Sequence, residues 1–156
     1  CSTDICVVDN GFVRISHNFE FSGADITKAY SNFSKLTYQE TEKKKKVTGL
    51  LLTPGQLIEA KEVLTVIDDI VSETERMMHT YFNKTGKEAA RIILAGGISS
   101  MPGFLSRFQE RFSSLPSNAI QLGDPFARLI FPRELTQTLV HIGPTFAVAI
   151  GLAMRK

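Results

Sequence analysis

At 156 residues the chain has the length of one domain, long enough to bury about two-thirds of its unfolded surface. Hydrophobic residues at 43%, charged residues at 22% and a net charge of +2 exclude a general electrostatic field for nucleic acid or an anionic membrane. Cys1 and Cys6 cannot supply a disulfide framework or repeated zinc-ligand pairs, and His17, His79 and His141 stand at no metal-ligand spacing. The first residue is not an initiator Met, no signal peptide follows it, and no apolar run reaches the roughly 18 residues of a membrane span. The chain therefore reads as part of something longer.

Residues 3–8 and 12–21 are β-rich runs joined by Asp9-Asn10-Gly11, whose Asn-Gly pair predicts a two-residue hairpin turn. The second run mixes polar and apolar residues on both faces, so its buried face stays open. Ser22-Gly-Ala-Asp25 has the form of a capping box with Asp in place of Glu, and Ile26, Ala29, Tyr30 and Phe33 follow on one face of a short helix. A full box, Thr37-Tyr-Gln-Glu40, opens a charged segment through Lys46. Glu40 with Lys44 and Glu42 with Lys46 are spaced to support an exposed helix, and the plain reading of four adjacent lysines is a solvated face.

Thr53-Pro54-Gly-Gln56 is a third start, with Pro at the first helical position. It opens the longest periodic stretch, in which Ala60, Val63, Leu64, Ile67, Ile70, Val71, Met77, Met78 and Tyr81 recur every three or four residues. Continuous from 54 to 85, this helix would run about 48 Å. Gly86 ends it, with Lys84 and Lys87 at the negative end of the dipole.

Residues 91–105, Arg-Ile-Ile-Leu-Ala-Gly-Gly-Ile-Ser-Ser-Met-Pro-Gly-Phe-Leu, read as strand, turn and helix. Ile92 to Ala95 is apolar without alternation, which suits a strand buried on both faces. Gly96 and Gly97 free the backbone for a tight turn and for close approach of another group. Ser99 or Ser100 would cap a helix with Pro102 in its first turn and Phe104, Leu105, Phe108 and Phe112 on one face. Such turns at helix N-termini are where open α/β sheets bind nucleotides, although the same turn serves as plain structure. A short strand over 119–122 ends at Gly123-Asp124-Pro125, residues 126–131 are apolar but for Arg128, and a loop follows. Gly143-Pro144 opens a segment, 145–154, that is apolar on every side; this predicts a buried helix too short to span a bilayer.

The sequence lacks a G-x-x-x-x-G-K-S/T loop, a G-x-G-x-x-G turn and a G-x-S-x-G elbow. Asp68-Asp69 lie on a helix whose other face is apolar and are read as solvated, so no catalytic pair stands out. Two features remain of nucleotide size: the Gly-Gly turn, and Glu42 with Lys45 three residues apart on one helical face. A carboxylate there accepts hydrogen bonds from ribose hydroxyls, and a lysine stem covers a purine while its ammonium stays wet.

The hairpin, the G-x-D-x-T helix start at Gly23, the E-x-x-K helix, the long helix and the Gly-Gly strand end occur in an order that resembles the second half of bacterial actin-like ATPases. Within them, Leu94-Ala-Gly-Gly-Ile-Ser-Ser-Met-Pro-Gly103, Asp124-Pro-Phe-Ala-Arg128 and Phe146-Ala-Val-Ala-Ile-Gly-Leu-Ala-Met-Arg155 resemble the PilM family of type IV pilus assembly proteins, relatives of the cell-division protein FtsA. The resemblance implies an α/β, ribonuclease-H-like subdomain with a mixed sheet, incomplete at the N-terminus. Its core would be residues 1–36 and 88–156, with a helical insertion over about 37–87. The strand preceding residue 1 would lie between the hairpin and the Gly-Gly strand, so the chain is expected to fold stably only with that strand or a substitute.

Carried over residue by residue, the resemblance implies that Gly96, Gly97, Ile98 and Ser99 form an adenosine turn. Gly23 would line the ribose side, Glu42 and Lys45 would be the E-x-x-K pair at ribose and base, and Phe126 would lie near the adenine. Ser2 and Thr3 look like the tail of a second phosphate hairpin whose D-x-G is not in this chain. No catalytic residue and no metal ligand are assigned, and Thr41 stands where the family often has Ala. The implied cofactor is ATP, with Mg2+ in the full-length protein. The implied role is the ATP-binding half of a cytoplasmic scaffold in type IV pilus assembly, peripheral to the inner membrane. Its partners would be a PilN-like membrane protein, which docks mainly on the other half, other platform proteins, and the missing N-terminal half of the same chain, with no nucleic acid and no direct membrane insertion. An FtsA-like division protein and a sugar-kinase-type phosphotransferase of the same fold are the alternatives.

Overall fold

The computed structural model describes residues 2–51 and 60–155. These fall into two compact units, one within Cys1–Lys45 and Leu52–Ala90, the other within Lys46–Leu51 and Arg91–Lys156.

In the first unit, β1 (Thr3–Asp9) and β2 (Phe12–Phe19) form an antiparallel hairpin. Asn10 and Gly11 both take left-handed φ, 52° and 80°, as the predicted turn demands. The register passes from Val7 opposite Ile15 to Val8 opposite Val13, leaving Arg14 as a bulge. That extra residue explains the mixed pattern: Phe12, Val13 and Arg14 are all exposed, and only beyond them do Ile15, His17 and Phe19 turn inward. Helix α1 (Gly23–Ser34) starts at the predicted box. The Ser22 N–H and hydroxyl both donate to Asp25 Oδ2, at 2.8 and 2.7 Å, and hold that carboxyl below the usual carboxylate range. Helix α2 (Tyr38–Thr48) starts at the second box, where the Thr37 hydroxyl and N–H donate to Glu40.

Helix α3 (Lys61–Thr85) carries the long periodic stretch. Val63, Ile67, Ile70, Val71, Met77 and Tyr81 are buried, and α3 packs on α1 and β1. Each such side chain contributes about 1.5–3 kcal/mol relative to exposure. Gly86, at φ 68°, closes the helix by donating its N–H to Phe82 O. The predicted start at Thr53-Pro54 lies outside the described residues.

In the second unit, β3 (Ile92–Leu94) pairs in parallel with β4 (Ile120–Leu122), and α4 (Phe104–Arg111) lies between them in the chain. This is a crossover unit, the connection that parallel neighbours require. Phe104, Phe108 and Phe112 are buried on one face, with 5.1 Å between the first two ring centroids. The expectation of a strand buried on both faces is corrected: Ile92 and Leu94 are buried, but Ile93 is 61% exposed. The two-strand sheet has one face covered among the described residues.

The start of α4 also differs from expectation. Its cap is Gly103 at φ 83°, not Ser99 or Ser100. The preceding residues close successive tight turns, Ser99 N–H to Gly96 O, Met101 N–H to Ile98 O and Phe104 N–H to Met101 O, and the left-handed Gly103 stops the helix from extending back. Leu50 N–H donates to Pro102 O at 2.8 Å, so backbone lies on backbone there.

Helix α5 (Thr136–Ala153) is longer than predicted and is not buried. Val148 and Leu152 are 73% and 63% exposed, because no described element covers that face. Its first turn, together with the tight turn that precedes it (Arg133–Val140), meets the remainder, Ile142–Ala153, at 101°. Pro144 accounts for the bend, since it has no N–H to give and its ring crowds the carbonyl four residues earlier. No single helix among the described residues is long and apolar enough to cross a membrane.

Candidate functional site

In the first unit, three of the predicted site residues come together, and a fourth residue joins them. Lys45 reaches from α2 to the first turn of α1, donating to Gly23 O at 3.0 Å, to Thr27 Oγ1 at 2.7 Å and to Glu42 Oε2 at 2.7 Å. Thr27 Oγ1 lies 2.8 Å from Gly23 O and 2.5 Å from Glu42 Oε2. One hydroxyl has one proton, and the charged, nearer carboxylate is the stronger acceptor.

The Lys45 side chain is 9% exposed and that of Glu42 31%. This corrects two expectations: the ammonium does not stay wet, and Lys45 does not share the solvated face on which Lys43 and Lys46 lie exposed. The helical period explains the difference. Lys45 stands four residues after the buried Thr41 and so points inward with it. The interior is reached at a desolvation cost that three acceptors offset.

In the second unit, the Gly-Gly turn is anchored from both sides. Gly96, at φ 93°, gives its N–H to Pro144 O of α5 at 2.7 Å, and its carbonyl accepts from the Ser99 hydroxyl at 2.7 Å. Ser99 is buried. Gly97 differs from its neighbour, because its φ lies outside the left-handed region and a Cβ there would have no atom within 4 Å. Neither backbone conformation nor packing within the described residues requires a glycine at 97. Ile98 sits inside the same turn, its carbonyl taking the Met101 N–H.

Phe126 follows Asp124, whose Oδ1 accepts the Phe126 N–H at 3.0 Å, and its ring meets Phe146 of α5 at 6.3 Å. A Cβ on Gly143 would lie 3.6 Å from that ring, so the neighbouring residues Gly143 and Pro144 hold Phe126 and the Gly96 turn to the middle of α5, beside its bend. Ser2 and Thr3 lie elsewhere in the first unit. Ser2 Oγ accepts from Asn18, and Thr3 donates to Phe21 O at 2.6 Å, which pins the first strand to the end of the second.

Sequence reasoning missed Thr27 as a member of the Glu42–Lys45 cluster and Pro144 as the partner of the Gly-Gly turn. The G-x-D-x-T start contained Thr27, one helical turn after Gly23, and that spacing was the available signal. Nothing in the sequence marks the Pro144 carbonyl.

A family model described as type IV pilus assembly protein PilM matches residues 1–156. No curated protein sequence matches. Among solved structures, one described as a PilM-PilN type IV pilus biogenesis complex superimposes with a TM-score of 0.80 at 21% identity, covering 99% of this chain and 42% of that chain. The ethanolamine utilization protein EutJ from Carboxydothermus hydrogenoformans gives a TM-score of 0.64 at 18% identity, over 98% of this chain and 44% of that one. The chain thus spans less than half the length of either, and it has the mixed α/β fold of the actin-like ATPases.

Proposed function

Because the chain belongs to the PilM family of type IV pilus assembly proteins, we propose that it is the ATP-binding part of a cytoplasmic scaffold for pilus assembly, partnered by a PilN-like membrane protein. The observation that supports this most is the Glu42–Lys45 pair held against Gly23 O. An ion pair with only its lysine buried contributes little net stability against an apolar replacement, so its presence suits positioning better than folding. Glu42, partly exposed, is suited to accept hydrogen bonds from the two ribose hydroxyls. Gly23 lines that side. In the second unit, taken by itself, the open space at Gly97 suits the close approach of a nucleotide to the backbone of the Gly96–Ser99 turn, with Phe126 as an apolar ring in the same unit.

Among the described residues no group of three or more His, Cys, Asp and Glu is placed to hold a metal ion, and the proposal assigns magnesium to no residue of this chain. Nucleotide acts here through shape: binding biases the conformation offered to pilus partners, and turnover is not required.

Titration of the full-length protein with a fluorescent ATP analogue tests the reading. Glu42→Ala is expected to weaken binding about tenfold, the scale of one lost charge-assisted hydrogen bond. Gly97→Ala is expected to weaken binding while leaving the melting temperature unchanged. Wild-type affinity in both variants would rule the site out.

A further inference from the structure

We propose that Thr27 sets the ribose selectivity of this site by fixing the Glu42 carboxylate, with Lys45 as the second donor that positions the same oxygen. The inference rests on the nucleotide reading above. Its basis is the proton count of the cluster. Lys45 has three N–H groups and three acceptors within 3.0 Å, Gly23 O, Thr27 Oγ1 and Glu42 Oε2. Its ammonium is fully engaged by the protein. Thr27, fully buried, receives one of those hydrogens and passes its own to Glu42 Oε2. Two donors on two different elements therefore converge on one oxygen of Glu42.

A carboxylate so held cannot swing away when a ribose hydroxyl is missing. That rigidity is what makes a polar site selective: a ligand lacking a hydroxyl leaves the fixed acceptor unpaired, whereas a mobile side chain relaxes into water and the penalty shrinks. Removing the Thr27 hydroxyl should therefore affect the preference for ATP over 2′-deoxy-ATP more than nucleotide binding as such. A residue that served the fold alone would lower both affinities in parallel.

The test measures the affinities of ATP and 2′-deoxy-ATP for full-length wild-type protein, Thr27→Val and Thr27→Ser. The wild type is expected to prefer ATP, Thr27→Val to lose about tenfold of that preference, and Thr27→Ser to keep it. An unchanged ratio in Thr27→Val overturns the role of Thr27, as does a wild type that binds both nucleotides equally; in either case the nucleotide reading stands. Wild-type protein that binds neither nucleotide removes both. Should Thr27→Val fail to fold, Lys45→Met takes the other donor from Glu42, and the same ratio decides.

Discussion

Thr27 and Thr41 are both fully buried, yet they face opposite fates. The Thr27 hydroxyl both receives and gives a hydrogen bond, while Thr41 Oγ1 has no partner among the described residues. An unmet buried hydroxyl costs more than an apolar group of the same shape. Thr41→Val keeps the branched outline and removes that cost, so it is expected to raise stability by up to about 1 kcal/mol in urea melts. A loss of stability would contradict it. The spacing of Glu42 and Lys45 was legible in the sequence because one helix carries both. Thr27 was not, since it meets them from another helix across separations of 15 and 18 residues, and only packing brings those together.

At the level of elements, local chemistry carried most of the reading. The Asn10-Gly11 turn, both capping boxes and the Gly86 stop each depend on residues within four positions of one another, and each formed as read. The failures depend on neighbours that sequence does not show. A continuous apolar run looks the same whether one face or both are covered, and so β3 and α5 were expected to be more buried than they are.

The glycines divide along the same line. A Cβ on Gly49 would stand 2.2 Å from Pro102 O, and one on Gly103 2.8 Å from Leu50 Cβ, with both residues at positive φ. Gly151, inside α5, would meet nothing. Gly49→Ala and Gly103→Ala are therefore expected to cost roughly 2 kcal/mol or more, through overpacking and a forbidden φ. Gly151→Ala is expected to gain up to about 1 kcal/mol from helix propensity. Thermal melts of the three variants check the contrast, and equal effects would refute it.

Over the whole molecule, several carboxylates act in one direction. Asp25 is held below its ordinary range by Ser22, Glu40 by Thr37, and Glu73 by Arg76, with His17 Nε2 3.1 Å away on the other side of Glu73. Lys87, 3.1 Å from Asp9, does the same for the end of β1. A carboxyl lowered in the folded state contributes stability that is present above its unfolded pKa and is lost as the pH falls through the folded value. Stability is thus expected to hold through neutral pH and to decline below about pH 4. Asp25→Asn, which cannot titrate, should flatten part of that decline in chemical melts taken from pH 6 downward; an unaltered slope would exclude the Ser22 box as a contributor.

The run from Lys43 to Lys46 carries a last consequence, for covalent modification. An acetylating or methylating enzyme approaching it from solvent meets three amines, because the fourth, at Lys45, is sealed between two helices with every hydrogen engaged. Sequence would offer four equivalent targets, and the fold withholds the one whose ammonium is bonded to Gly23, Thr27 and Glu42.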